Sequence, residues 1–334
     1  MHPRRYSFVT IGFEGDAGLL QLQARSMRLY CPLELIEEII IVDNSSHGET
    51  TKWQDELLYQ YGNLARFVRI VPAADVSDRP TDAHGWFTQQ VLKVKVAGLV
   101  RSERYVILDA KNHLIARLGR EFLEAPSGQP WMTGKRYIGH PMQEFLERTL
   151  EYLDLDPREH VSWFTRTDTP FTMLTNEVLE LVREIEQRED RPFASVFLDR
   201  KFSEFFLYAG FLVSKGRLWQ LYDRTQVHEP QVWPGNADEA GCSKAIRLAD
   251  HTGFPFMTVH RQALAKLDKK ARRLIAEFWY ARGLFASAMD ALRFLRDPNR
   301  SRQHFDGRVV SWPISAFVSR LRSLQLRNSS RSLD

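Results

Sequence analysis

Residues 7–12, Ser-Phe-Val-Thr-Ile-Gly, form a short β-branched and aromatic run closed by glycine, which predicts a strand. Residues 19–29 place apolar side chains near helical spacing and stop at Cys31-Pro32, which predicts a helix. Residues 38–43, Glu-Ile-Ile-Ile-Val-Asp, are a continuous apolar run, the pattern of a strand covered on both faces. A helix is expected over 51–61, a strand over 67–71 ended by Pro72, a helix over 86–100 and a strand over 105–109. Strands separated by helices of this length imply βαβ units, hence an α/β fold built on a mostly parallel sheet with right-handed crossovers.

Beyond Asp109 the alternation loosens. Helices are expected over 144–153, 177–187 and 264–294, a strand over 171–174 and another over 217–222. Residues 202–212 are rich in aromatic side chains and fit a helix or a strand. No internal repeat is visible, and nothing is low in complexity except the Ser- and Arg-rich end.

The 334 residues are 43% hydrophobic and 26% charged, an ordinary globular composition that excludes collagen-like and wholly disordered classes. The formal charge of +4 is unevenly placed. From Arg300 onward there are seven arginines, no lysine and two aspartates, a net +5 that leaves −1 for everything before it. A near-neutral body with a basic tail argues against nucleic acid as the main partner. With only Cys31 and Cys242, neither a disulfide framework nor a Cys-rich zinc site is available, and a reducing, cytoplasmic setting is expected. No run of about 18 apolar residues and no leader pattern occurs.

In parallel sheets ligands gather at the carboxyl ends of the strands. Here those ends are Gly12, Asp43, Pro72 and Asp109, and each aspartate is either a ligand carrier or the cap of the next helix. Leu108-Asp109-Ala110-Lys111-Asn112-His113 sets a carboxylate and an amide three residues apart, the donor types of a hydrated Mg²⁺ or Mn²⁺, with Lys111 able to meet a phosphate directly. The plainer alternative is a capped turn with a solvated lysine. Trp86, Gln89 or Gln90, and Lys93 can share one helix face, where stacking, amides and a cation suit a nucleotide sugar; the same segment also fits a packing helix. Glu204 stands alone among aromatics, either as a proton acceptor with a raised pKa or as the polar edge of a core. Gly12, Gly15 and Gly18 are spaced G-x-x-G-x-x-G, not as a dinucleotide loop, and Glu14 and Asp16 between them would repel a pyrophosphate. No P-loop, H-E-x-x-H or G-x-S-x-G occurs, and His228, His251 and His260 are scattered.

Taken in order, Ile40-Ile41-Val42-Asp43, Gly85 to Lys93, Tyr105 to Asn112, Phe202 to Tyr208 and Thr258-Val259-His260-Arg261 resemble the GT-A nucleotide-diphospho-sugar glycosyltransferases, over about residues 6–262. More narrowly, they resemble an uncharacterised bacterial glycosyltransferase-like branch. The resemblance implies a GT-A-like nucleotide-sugar-binding and catalytic domain over 1–262 and a helical extension with an Arg-rich tail over 263–334. It implies transfer of a sugar from a nucleotide-diphosphate donor to a hydroxyl of a surface polysaccharide or lipid-linked glycan. Gly12, Asp43, Trp86, Gln90, Lys93 and Lys111 would then bind the donor. Asp109 would meet ribose or metal, and Glu204 would take the acceptor's proton. His260 stands where a late metal-binding histidine falls. The family's D-x-D metal motif reads Asp109-x-Lys111 here, so either Lys111 replaces the Mn²⁺ or Mg²⁺ charge or Asn112 completes the ion's ligands. A dinucleotide-dependent oxidoreductase and a non-catalytic glycan-binding protein are the rival readings. Residues 317–327 put apolar positions and arginines at helical spacing, which suits peripheral attachment to an anionic inner-membrane surface.

Overall fold

The computed structural model describes residues 4–45, 52–77, 85–225 and 229–298. Four strands, β1 (Tyr6–Gly12), β2 (Ile36–Asp43), β3 (Val68–Pro72) and β4 (Arg104–Asp109), lie parallel in the order β3-β2-β1-β4, and Phe171–Leu174 closes the sheet antiparallel to β4. The expected elements up to Asp109 are all present. The helix expected over 86–100 is α-helical over Gly85–Lys95 and tightens into a 3₁₀ turn over Val96–Leu99.

Period-2 burial sorts the central strands onto two cores. Tyr6, Phe8, Ile39, Ile41, Val106 and Leu108 face one layer, and Val9, Ile11, Ile40, Val42, Tyr105 and Ile107 face the other. The first layer holds α1 (Ala17–Tyr30), α2 (Lys52–Tyr61) and the C-terminal helices Lys269–Ala281 and Ala288–Arg296, so that Trp279 and Phe294 share a cluster with Leu20 and Tyr61. The second holds Gly85–Lys95, Thr175–Glu189 and Glu204–Ser214.

Two expectations resolve here. Residues 202–212 are helical from Glu204, and Phe205 to Leu212 are buried all round, the pattern of a core helix. The strand expected over 217–222 is instead a helical turn, Leu218–Leu221. Gly216, at φ +66°, ends the preceding helix, and the three-residue spacing of Leu218 and Leu221 turns both toward the core. The tail proposed to meet a membrane lies outside the described residues.

A second, three-stranded sheet positions the site. β5 (Asn112–Leu114) runs antiparallel to Phe256–Val259, which pairs in parallel with Gln231–Val232. Within it His113 is buried, with the Trp279 indole N–H donating to its Nε2 at 2.9 Å. Burial pushes the His113 imidazole down to about 4. Between pH 6.5 and 4 the unfolded chain therefore binds a proton that the folded chain refuses, and stability falls as pH drops through that window. We expect His113 to contribute roughly 3 kcal/mol of this acid loss. Denaturant titrations across pH should show a shallower dependence in His113→Gln; an identical slope would remove His113 from the acid response.

Candidate functional site

β1 marks the point where the chain's crossovers change direction, with β2 on one side and β4 on the other. At the carboxyl edge of these strands opens a cleft of about 880 Å³, within the usual size of a small-molecule site. Its walls include Trp86, Gln90, Lys93, Asp109, Lys111, Glu204 and His260, so seven residues singled out from the sequence converge on one space.

The turn after β4 is held from below. The Gln23 amide on α1 donates to the carbonyls of Asp109 (2.8 Å) and Asn112 (3.1 Å) while accepting from Thr10 (2.9 Å). Asn112 is fully buried: its Oδ1 accepts from the Asp109 N–H at 2.7 Å, and its Nδ2 donates to the Thr169 carbonyl and Thr258 Oγ1. That leaves the Asp109 carboxylate projecting into the cleft. Its Oδ1 meets Lys93 Nζ at 2.9 Å, and its Oδ2 meets Lys111 Nζ and, at 3.0 Å, the Thr169 hydroxyl.

Lys93 comes from the helix Gly85–Lys95, whose face carries Trp86, Gln90 and Lys93 together into the cleft. Its ammonium bridges Asp109 to Glu204 Oε1 (3.1 Å) and lies 5.2 Å above the Phe205 ring. Side-chain exposure is 8% for Lys93, 6% for Glu204 and 24% for Asp109. Burial acts to discharge Lys93, but the Asp109 and Glu204 carboxylates outweigh it and hold the ammonium well above its usual range. Burial likewise acts to raise Asp109, and the Lys111 and Lys93 ammoniums overcome it and hold the carboxyl far below the usual carboxylate range. Glu204 opens the helix Glu204–Ser214, where a carboxylate suits the positive end of the helix dipole; its N–H donates to Gln90 Oε1 at 3.3 Å.

The small second sheet sets the wall beside Lys111. Because Gln231–Val232 and Phe256–Val259 run parallel, the residues after them, Trp233 and His260, stack with ring centroids 4.9 Å apart, and Lys111 Nζ lies 5.4 Å over the Trp233 ring. His260 Nδ1 accepts the Gln262 N–H, capping the next helix, and burial with the Lys111 charge lowers its imidazole to about 4, so the ring is neutral at pH 7. Arg261 pairs with Asp16 at 3.2 Å. Gly134–Lys135 pairs with Phe164–Thr165, which brings Lys135 and the Arg166–Asp168 ion pair onto the wall, with Arg166 also 3.8 Å from Glu229. Asp16, Trp233, Arg261, Lys135, Arg166 and Asp168 were not anticipated as site residues. Asp16 lay in the glycine-rich turn and Arg261 in the segment Thr258-Val259-His260-Arg261, and the polar run Arg166-Thr167-Asp168-Thr169 offered a further local signal.

Gly12, Asp43 and Asn112 are placed differently from the other candidates. Gly12 and Asp43 are not among the cleft-lining residues. Gly12 packs on Leu20, where a Cβ would sit 2.7 Å from Cδ1, and Asp43 accepts from the Ser45 N–H and Gln54 Nε2, capping its own loop. Asn112 holds the turn with every amide atom engaged, so it is not free to ligate an ion. With Asp109 already bound on both oxygens, and no group of three His, Cys, Asp or Glu side chains clustered among the described residues, these residues do not fit a divalent cation.

Residues 14–241 match a family model described as a family of unknown function. No curated protein matches. Among solved structures, the galactosyltransferase LgtC in complex with donor and acceptor sugar analogs aligns with 83% of this chain and 99% of its own, at 12% identity and a TM-score of 0.47. Glucosyl-3-phosphoglycerate synthase from Mycobacterium tuberculosis, in complex with Mn²⁺, UDP and glucosyl-3-phosphoglycerate, aligns with 85% of this chain and 82% of its own, at 12% identity and 0.41. The bifunctional glycosyltransferase WbbM aligns with 76% of this chain at 12% identity and 0.43, and this chain spans 45% of WbbM's length. At these identities and scores the likenesses assign no role here; the mixed α/β fold with its parallel-dominated sheet is read from the chain's own strands.

Proposed function

The chain belongs to DUF6492, a family whose description names no activity, and from its own cleft we propose that it is a glycosyltransferase moving a sugar from a nucleotide-diphosphate donor to a hydroxyl of a surface polysaccharide or lipid-linked glycan. The observation that carries this is the buried Lys93 bridging Asp109 and Glu204 on the floor of the cleft. Burying these charges costs several kcal/mol each before pairing, so their concentration at a strand-end cleft marks chemistry rather than packing.

In this reading Lys111 faces the diphosphate, Asp109 orients Lys93 and Lys111, and Trp86 and Gln90 line the wall against which a sugar or nucleoside lies. The acceptor oxygen bonds to the anomeric carbon as the bond from that carbon to the diphosphate oxygen breaks, and the nucleoside diphosphate leaves with the electron pair. Glu204 receives the hydroxyl proton. Its Oε1 is held by Lys93, whereas among the described residues Oε2 meets the Ser203 hydroxyl at 3.4 Å, which supports Oε2 as the accepting oxygen. Work at the cytoplasmic face of a membrane, with the basic tail as a peripheral anchor, would bring the site to a lipid-linked acceptor.

The glycine-rich turn after β1 disfavours the dinucleotide alternative. A Cβ at Gly15 would strike the Phe13 ring, and one at Gly18 would strike the Pro298 carbonyl, so these glycines serve chain packing. Thermal unfolding should separate the two readings. UDP, or another nucleoside diphosphate, at a hundredfold excess over its dissociation constant stabilises the fold by about 2.7 kcal/mol, and NAD⁺ gives no shift. Stabilisation by NAD⁺ alone would sink the proposal. Donor hydrolysis by the same protein separates an enzyme from a glycan-binding relative.

A further inference from the structure

We infer that the cleft holds its donor's diphosphate with lysine ammonium groups standing where a divalent cation would otherwise stand. This rests on the donor reading above. The geometry carries the inference, because the position an ion would need is already taken by positive charge. Asp109 Oδ1 holds Lys93, and Oδ2 holds Lys111 together with the Thr169 hydroxyl. The Asn112 amide oxygen already accepts the Asp109 N–H, and its nitrogen donates to the Thr169 carbonyl and the Thr258 hydroxyl. An ion bonded to Asp109 would have to displace an ammonium and would then lie beside the other.

Charge counting agrees with the contacts. Two carboxylates and a divalent cation sum to zero, and so do Asp109 and Lys111 without one. An additional cation here would leave the turn at +2, whereas the ammonium alone reproduces the neutral balance. Lys111 is also suited to the exchange. It is the more exposed of the two lysines, at 16% against 8%, and it borders open cleft above Trp233. An ammonium has three donors, so Lys111 can keep Asp109 and still donate to two phosphate oxygens. Asp109 is then a positioning residue that aims Lys111 into the cleft, and Lys93 is the fixed internal counter-charge between Asp109 and Glu204.

Isothermal titration of the full chain with UDP, GDP, ADP and CDP, in EDTA and again in excess MnCl₂, tests this without any activity readout. The binding nucleotide is expected to keep its dissociation constant within about threefold between the two conditions. Lys111→Met should weaken it about 10- to 100-fold, the loss of a charge-assisted hydrogen bond, and Mn²⁺ should not restore it. Lys111→Asp recreates a carboxylate pair, and its nucleotide binding should appear only with Mn²⁺; should that variant fail to fold by circular dichroism, Lys111→Met decides. Wild-type binding that collapses in EDTA, or a Lys111→Met protein that binds as well as wild type, overturns the inference and leaves the donor reading standing. Failure of all four nucleotides under both conditions overturns both.

Discussion

Asparagine at position 109 is expected to lower sugar transfer on the order of 10²-fold or more while moving the melting temperature by only a few degrees. The two effects separate because the carboxylate's partners differ in their alternatives. Without Asp109, Lys93 still holds Glu204 at 3.1 Å, and Lys111, at the cleft surface, turns to water. The fold therefore loses little. What disappears is the anchor that aims Lys111 and fixes the charge balance of the cleft, and misplacement of about 1 Å can cost about 10²-fold in rate. Single-turnover transfer measured beside a thermal melt checks this. An Asp109→Asn protein that unfolds would make the residue a structural cap, and one with undiminished transfer would take it out of the mechanism.

Removing Lys93 should do the reverse and damage the fold itself. Lys93→Met leaves the Asp109 and Glu204 carboxylates facing each other without their shared cation, and breaking a buried ion pair from one side costs about 3–5 kcal/mol. The cost arises from stranded charge, not from lost packing, since the Lys93 stem and a methionine fill similar space. Adding Glu204→Gln, which discharges one stranded partner, should recover a substantial part of that stability while transfer stays abolished. Urea unfolding of the two single mutants and the double mutant gives the coupling directly. Additive losses would mean that Lys93 and Glu204 are not energetically linked, and the network on the cleft floor would lose its main support.

Much of the framework is legible locally because it follows from periodicity. Ile39-Ile40-Ile41-Val42 reads as a doubly covered strand since its alternate residues enter two different cores, and the spacing of Trp86, Gln90 and Lys93 puts them on one face in any helix. Residue type alone misleads where one side chain serves several purposes. Asp43 and Asp109 both end apolar strands, yet one caps its own loop and the other enters the cleft, and Asn112 has the chemistry of a ligand but the duty of a brace. The difference lies in neighbours far along the chain, such as Gln23, Thr169 and Thr258, which local pattern does not report.

The amino-acid sequence by itself therefore determined the alternating α/β order, the strand ends where chemistry collects, and the lysine two residues after Asp109, since each depends on spacing within a dozen residues. Only the tertiary structure decided that Lys93 joins Asp109 to Glu204, that Trp233 and His260 form the wall beside Lys111, and that Arg166 and Asp168 line the same cleft. Those meetings are set by strand register and helix packing between segments up to about 150 residues apart, such as Asn112 opposite Thr258. Long-range pairing of that kind satisfies backbone hydrogen bonds and buried area for the whole chain at once, and no local run of residues encodes it.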